Sequence, residues 1–207
     1  MMMYDDPDES GDGEDMIVRL LEEIPLLYKA RAFADGLGQS AFFTRLGEPL
    51  DTRERSLGEA YVSGLGFPHA DPALISDWQE AGDAAEALDH DPISWDAEEM
   101  LRAGLIEAVL ERLDEEALHT AATYLSSKIG ELAREAAEAA ASYDDIYDEH
   151  LINAAAGGLI QAAHNAMLVI LAEREDDTPP HPFLARWRLF MRGRWPIGLA
   201  GSTYNIL

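Results

Sequence analysis

The chain has no cysteine. That removes disulfides, thiolate-bound zinc, iron–sulfur clusters and thiol nucleophiles, and it leaves the redox compartment open. Lysine is nearly missing: only Lys29 and Lys128 carry ammonium groups, and the other basic residues are arginines. Fifteen basic residues face forty acidic ones, for a formal charge of −25. A field of that sign repels phosphate backbones, so direct nucleic-acid binding is not expected. Two sources of the acidity compete. One is a salt-adapted or high-GC surface coated with Asp and Glu. The other is an acidic partner surface, such as a nucleic-acid mimic that masks a basic protein.

Catalytic signatures are also missing. There is no His-Glu-x-x-His, no Gly-x-Ser-x-Gly elbow, no phosphate loop and no Asp-x-Asp-x-Asp-Gly cation loop. Gly36-Leu37-Gly38 and Gly64-Leu65-Gly66 are lone glycine pairs. The first residues, MMMYDDPDESGDGED, lack the basic start and apolar core of a signal peptide, so a cytoplasmic location is expected. Residues 1–13 read as a disordered acidic segment, and 14–207 as one helical domain.

What is present is a stretch without formal charge from His150 to Ala172, between Glu149 and Glu173. At helical pitch its polar residues His150, Asn153, Gln161, His164 and Asn165 fall within an arc of about 120° that also holds Gly157. The length suits a membrane span. Amides and imidazoles near its middle, and acidic flanks without basic anchors, argue against one. The expectation is a mostly buried helix whose polar stripe faces a partner helix or a pocket.

The fold expected is all-α: an antiparallel helical bundle with a long central hydrophobic helix, short N-terminal helices and an irregular C-terminal tail. The pattern predicts a first helix over 14–34, kinked or split at Pro25. Asp51 with Glu54 reads as a helix N-cap. Asp71-Pro72 and Asp91-Pro92 read as helix starts, and Ser76 with Gln79 as a capping box. The bundle core spans 95–174, with helices over 95–113, 115–142 and 146–174. Leu118, Ala122, Leu125, Ile129, Leu132, Ala136 and Ala139 alternate by four and three, a heptad seam. A stiff linker at 178–182 leads to a short helix over 182–191, and 182–207 docks on the bundle as a basic-aromatic segment. The last fifteen residues read as irregular, with one short strand at 202–207.

Metal chemistry has little footing. His150 and His164 stand fourteen residues apart, about 21 Å along a helix axis, so they cannot share an ion. Glu116 and His119 match one half of a di-iron Glu-x-x-His pattern, but the second half is absent and Glu116 suits the helix dipole at its first turn. No metal or cofactor is expected. Near the C-terminus Arg186, Trp187, Arg188, Arg192, Arg194 and Trp195 interleave cations with aromatics, a pattern that serves docking, a partner contact or an anion site.

Three functions compete on this reading. The leading one is a non-enzymatic acidic helical interaction protein, acting as adaptor, chaperone, inhibitor or assembly partner, with a protein partner or a second copy of itself and no membrane. Another is a small-molecule or metal-binding bundle enzyme whose pocket is lined by His150, Asn153, Gln161, His164 and Asn165. The third is a nucleic-acid mimic.

Overall fold

Pro25 occupies the first helical position of α1 (Pro25–Gly36), with Ile24 as its cap. Proline suits that position, where its missing N–H costs nothing. The computed structural model describes residues 24–88 and 92–207. The acidic segment 1–13 and the first part of the expected helix, up to Glu23, lie outside the described residues.

Six more helices follow: α2 (Thr52–Gly64), α3 (Trp78–Leu88), α4 (Pro92–Leu110), α5 (Glu115–Tyr143), α6 (Glu149–Leu171) and α7 (Pro182–Phe190). Short polar side chains start several of them. Asp51 and Glu54 form a reciprocal capping box on α2, Asp114 caps α5, and Asp148 caps α6 through His150 N–H. The α5–α6 break follows from Asp145, which takes a left-handed φ of 59° while Ile146 N–H donates back to Ala141 O. Glu173 does the same at φ 56° and ends α6 three residues before the predicted boundary.

The chain is mostly helical, but it is not all-α. Strands β1 (Asp71–Leu74), β2 (Pro196–Ala200) and β3 (Thr203–Ile206) form a sheet in the order β1-β3-β2. β2 and β3 make an antiparallel hairpin around Gly201-Ser202, and β1 joins β3 in parallel. The short strand expected at 202–207 is β3, and the rest of the tail, expected to be irregular, adds β2 to make a hairpin with it. Gly201, at φ 59°, supplies the backbone twist that a two-residue turn requires. Asp71-Pro72 opens a strand, not a helix, because β3 offers it a free edge; proline is tolerated on an edge strand. The capping box expected at Ser76 and Gln79 is displaced by one residue. Asp77 accepts from the N–H groups of Gln79 and Glu80, while Ser76 donates to Glu80.

The heptad seam is also corrected. On α5 the buried residues are Ala117, Ala121, Leu125, Ile129, Ala133, Ala137 and Ala141, a strict interval of four. Leu118, Ala122, Leu132 and Ala136 are only partly buried, and Ala139 is exposed. A four-residue ridge advances about 40° per step, so it winds around the helix and meets successive neighbours. Its small alanines meet Ala155, Ala162, Ala163 and Ala166 of α6 in the same core. A second, smaller core joins α2, α7 and the sheet through Leu57, Tyr61, Leu189, Tyr204 and Ile206.

By length and composition, α6 could cross a membrane, but most of its apolar window is buried within the protein.

Candidate functional site

The polar stripe of α6 differs in depth along its length. His150 and Asn153 are exposed, Gln161 and His164 are half-buried, and only Asn165 is fully buried. The second half of the stripe, near His164, lies in a groove between α4 and α5, whereas His150 lines a separate cavity against α3. Near His164 the groove deepens into a cavity of about 470 Å³. Ile106 and Leu110 of α4 wall one side, Leu118 and Ala122 of α5 the other, and Met167 and Leu168 of α6 lie beneath. Glu115, His119 and His164 supply its polar groups.

His164 has a defined role in this wall. Ser126 Oγ donates to Ala122 O at 2.9 Å and lies 3.2 Å from His164 Nε2. With the hydroxyl proton directed at the carbonyl, His164 is the donor to Ser126. Burial lowers the pKa of its imidazole, which keeps the ring neutral. Gly157, further along the same face, has open space where a Cβ would stand.

The wall on α4 extends beyond the cavity. At 100° per residue Trp95, Ile106 and Leu110 fall within about 60° of one another. Trp95 is 61% exposed. Ile93 and Met100 are exposed as well, but they lie about 140–160° round the helix from Trp95 and do not extend this wall.

Beneath α4 lies a buried charged network. Arg186 Nη1 donates to both carboxylate oxygens of Glu98, at 3.0 and 3.3 Å, and to Gln161 Oε1 at 3.3 Å. Tyr61 donates a short hydrogen bond to Glu98 and stacks on Tyr204 with centroids 4.6 Å apart. Arg102 Nε donates to Asn165 Oδ1 at 3.0 Å, and its Nη1 pairs with Glu99. Burial opposes the charge on Arg186, yet the Glu98 carboxylate outweighs it and holds the guanidinium pKa above its ordinary value. Burial pushes both tyrosine pKa values up. Asn165 Nδ2, Arg186 Nε and Tyr204 OH are buried polar atoms without a hydrogen-bond partner, and Arg102 Nη2 has only an ion-pair contact with Glu98 at 3.7 Å.

The remaining C-terminal arginines face the chain's own acids. Arg194 and Glu54 have fully buried side chains joined at 3.0 Å. Arg194 also donates to the carbonyls of Arg45, Glu48 and Pro49. Arg192 pairs with Asp51 and, at 3.3 Å, with Glu54. Arg188 is half-buried on α7. Trp187 meets Phe33 and Phe42, and Trp195 meets Trp78. In this arrangement Arg186 and Arg194 are enclosed and present no surface to a partner or an anion.

Glu116 is exposed and His119 faces the cavity, so the two do not converge as a metal pair. Among the described residues no three His, Asp or Glu side chains come together as a metal set.

Sequence reasoning missed Glu98, Arg102, Tyr61 and Tyr204. One signal was available: Glu98 stands on the same helical face as Leu101, Leu105 and Val109, an acid inside an apolar stripe. Its partner Arg186, 88 residues away, was singled out in the sequence, but nothing local links the two.

The chain was compared with protein-family models, curated proteins and solved structures, and none of them matches it.

Proposed function

We propose that the protein is a non-enzymatic helical interaction protein, an adaptor, inhibitor or assembly partner, that receives a helix of another protein in the groove between α4 and α5. The observation that carries this reading is the open cavity itself, with apolar walls from three helices and a solvent-facing Trp95 continuing one wall. Large aromatic residues beside a desolvated pocket are the usual anchors of protein recognition. A helix suits the space. We read α4, α5 and α6 as antiparallel neighbours in up-down-up order, since Ser126 meets His164 while Arg134 meets Glu149. A fourth helix laid over the α6 floor would complete the bundle.

The buried network supports binding over catalysis. Its ion pairs are enclosed among protein groups, and His164 in the cavity pairs with Ser126 beside apolar side chains, with Glu115 and His119 on the α5 side. The test is a photoreactive side chain at Ala122, compared with one at Glu138, an exposed position on the same helix. A covalent adduct with one defined protein at Ala122 only is the expected result. Equal labelling at both positions, or an adduct confined to the chain's own residues, overturns the proposal.

A further inference from the structure

We infer that the groove takes a cationic amphipathic helix, an inference that rests on the helix-docking reading above.

Apolar shape is the first argument. Arg102 meets Asn165 and Arg112 stands 3.8 Å from Glu173, so α4 runs beside the second half of α6. There Ile106 and Leu110 line one cavity with Leu118, Ala122, Met167 and Leu168, and its apolar walls suit branched aliphatic side chains.

Charge is the second argument. Glu99 and Glu107 on α4, Glu111 in the turn after it, and Glu115 and Glu116 on α5 stand along or beside the rim. All of these except Glu99 are classed as exposed, and the Glu99 side chain is 43% open. The arginines nearest this rim are already engaged: Arg102 with Glu99, and Arg112 3.8 Å from Glu173. Within the cavity the titratable groups are His119, His164 and Glu115, and burial lowers the pKa of His164. The groove thus offers an apolar floor inside an acidic frame. A helix with aliphatic residues at i, i+3, i+4 and i+7 and Arg or Lys on its flanks matches both. A second copy of this chain, at −25, would bring like charge to like.

Three labelled peptides of equal length test the inference by fluorescence anisotropy against the full chain. One is cationic and amphipathic, one has the same apolar positions with Glu for Arg, and one is the cationic composition scrambled. Circular dichroism confirms folding at each salt concentration. The expected result is binding of the first peptide alone, weakening about tenfold or more as salt rises from near-physiological to molar, where the screening length falls to about 3 Å. Equal binding of the acidic peptide would overturn the charge inference and leave the helix-docking reading in place. Equal binding of the scrambled peptide would reduce the effect to unspecific attraction and overturn the inference. Binding of none would sink both readings. Sedimentation showing a dimer that the cationic peptide cannot displace would overturn the inference in favour of a second copy.

Discussion

Glu54 Oε2 accepts a hydrogen bond from Arg194 Nη2 at 3.0 Å, and neither side chain has any exposure to solvent. The pair spans 140 residues and locks the end of the chain onto the start of α2. Arg45 Nη1 at 2.7 Å and Arg192 Nε at 3.3 Å share the other oxygen, and Asp51 N–H completes the capping box. Burial alone would raise the Glu54 pKa; Arg194 and its other donors outweigh that and hold it below the ordinary range. Replacing Glu54 by Ala leaves a buried guanidinium unpaired and is expected to cost about 3–5 kcal/mol in a urea titration. Glu54→Gln keeps hydrogen-bonding capacity and should cost less. Because the folded pKa is depressed, this stabilisation is present above the ordinary carboxylate range and is lost as pH falls below it. A Glu54→Ala protein as stable as the parent would show that the network contributes nothing.

His181 should govern a second pH window. Its Nδ1 accepts from Phe183 N–H at 3.2 Å and so caps α7, a role only the neutral ring can fill. Burial, with Arg174 adding repulsion, brings its pKa down to about 4. The unfolded chain takes up a proton near pH 6.5 while the folded one resists, so stability falls as pH drops from about 6.5 towards about 4. The predicted span is on the order of 3 kcal/mol. His181→Asn retains a capping acceptor without titrating, and denaturation at several pH values should show a flatter profile across that window. An unchanged slope would remove His181 from the pH response.

Tyr204 offers a prediction of the opposite sign. Its hydroxyl is buried without a protein partner, although its ring stacks on Tyr61. Tyr204→Phe keeps the stack and removes the unpaired group, so stability should be unchanged or rise by up to about 1 kcal/mol. A loss greater than about 1 kcal/mol would mean that the hydroxyl has a partner.

Gly193 and Gly201 should differ although both are left-handed, at φ 80° and 59°. A Cβ at Gly193 would stand 2.5 Å from Thr44 Oγ1 and 3.1 Å from Arg45 N, whereas one at Gly201 meets nothing within 4 Å. Gly201→Ala should cost only the backbone term of about 1–2 kcal/mol. Gly193→Ala should cost distinctly more, and thermal melts of the two variants give the comparison.

The sequence pattern carried the long helices well because their signals are local: apolar periodicity over 95–113 and 115–142 and a charge-free run in α6. It misplaced what depends on distant partners. Asp71-Pro72 looks like a helix start until β3 pairs with it, and the Gly201-Ser202 turn is too short to stand out. On α5 a four-and-three seam and a four-and-four ridge share Leu125 and Ile129, and only the neighbours decide between them. For the candidate site, the stripe of α6 was legible as a single face, but its depth was not. Asn165 is buried where Arg102 of α4 meets it, whereas His150 lies beside α3, and Arg186 was visible as an anion-seeking side chain without any sign that Glu98 already holds it.

Filling the groove tests its function most directly. Ala122 lines the cavity near His164 and is only partly buried. Ala122→Trp would occupy space in it without touching the Glu98–Arg186 or Glu54–Arg194 networks. Affinity for the cationic amphipathic peptide should fall about tenfold or more in this variant, a change of about 1.4 kcal/mol, while its denaturation midpoint stays near that of the parent. Undiminished affinity in a folded Ala122→Trp protein would contradict the assignment of the groove as the docking site.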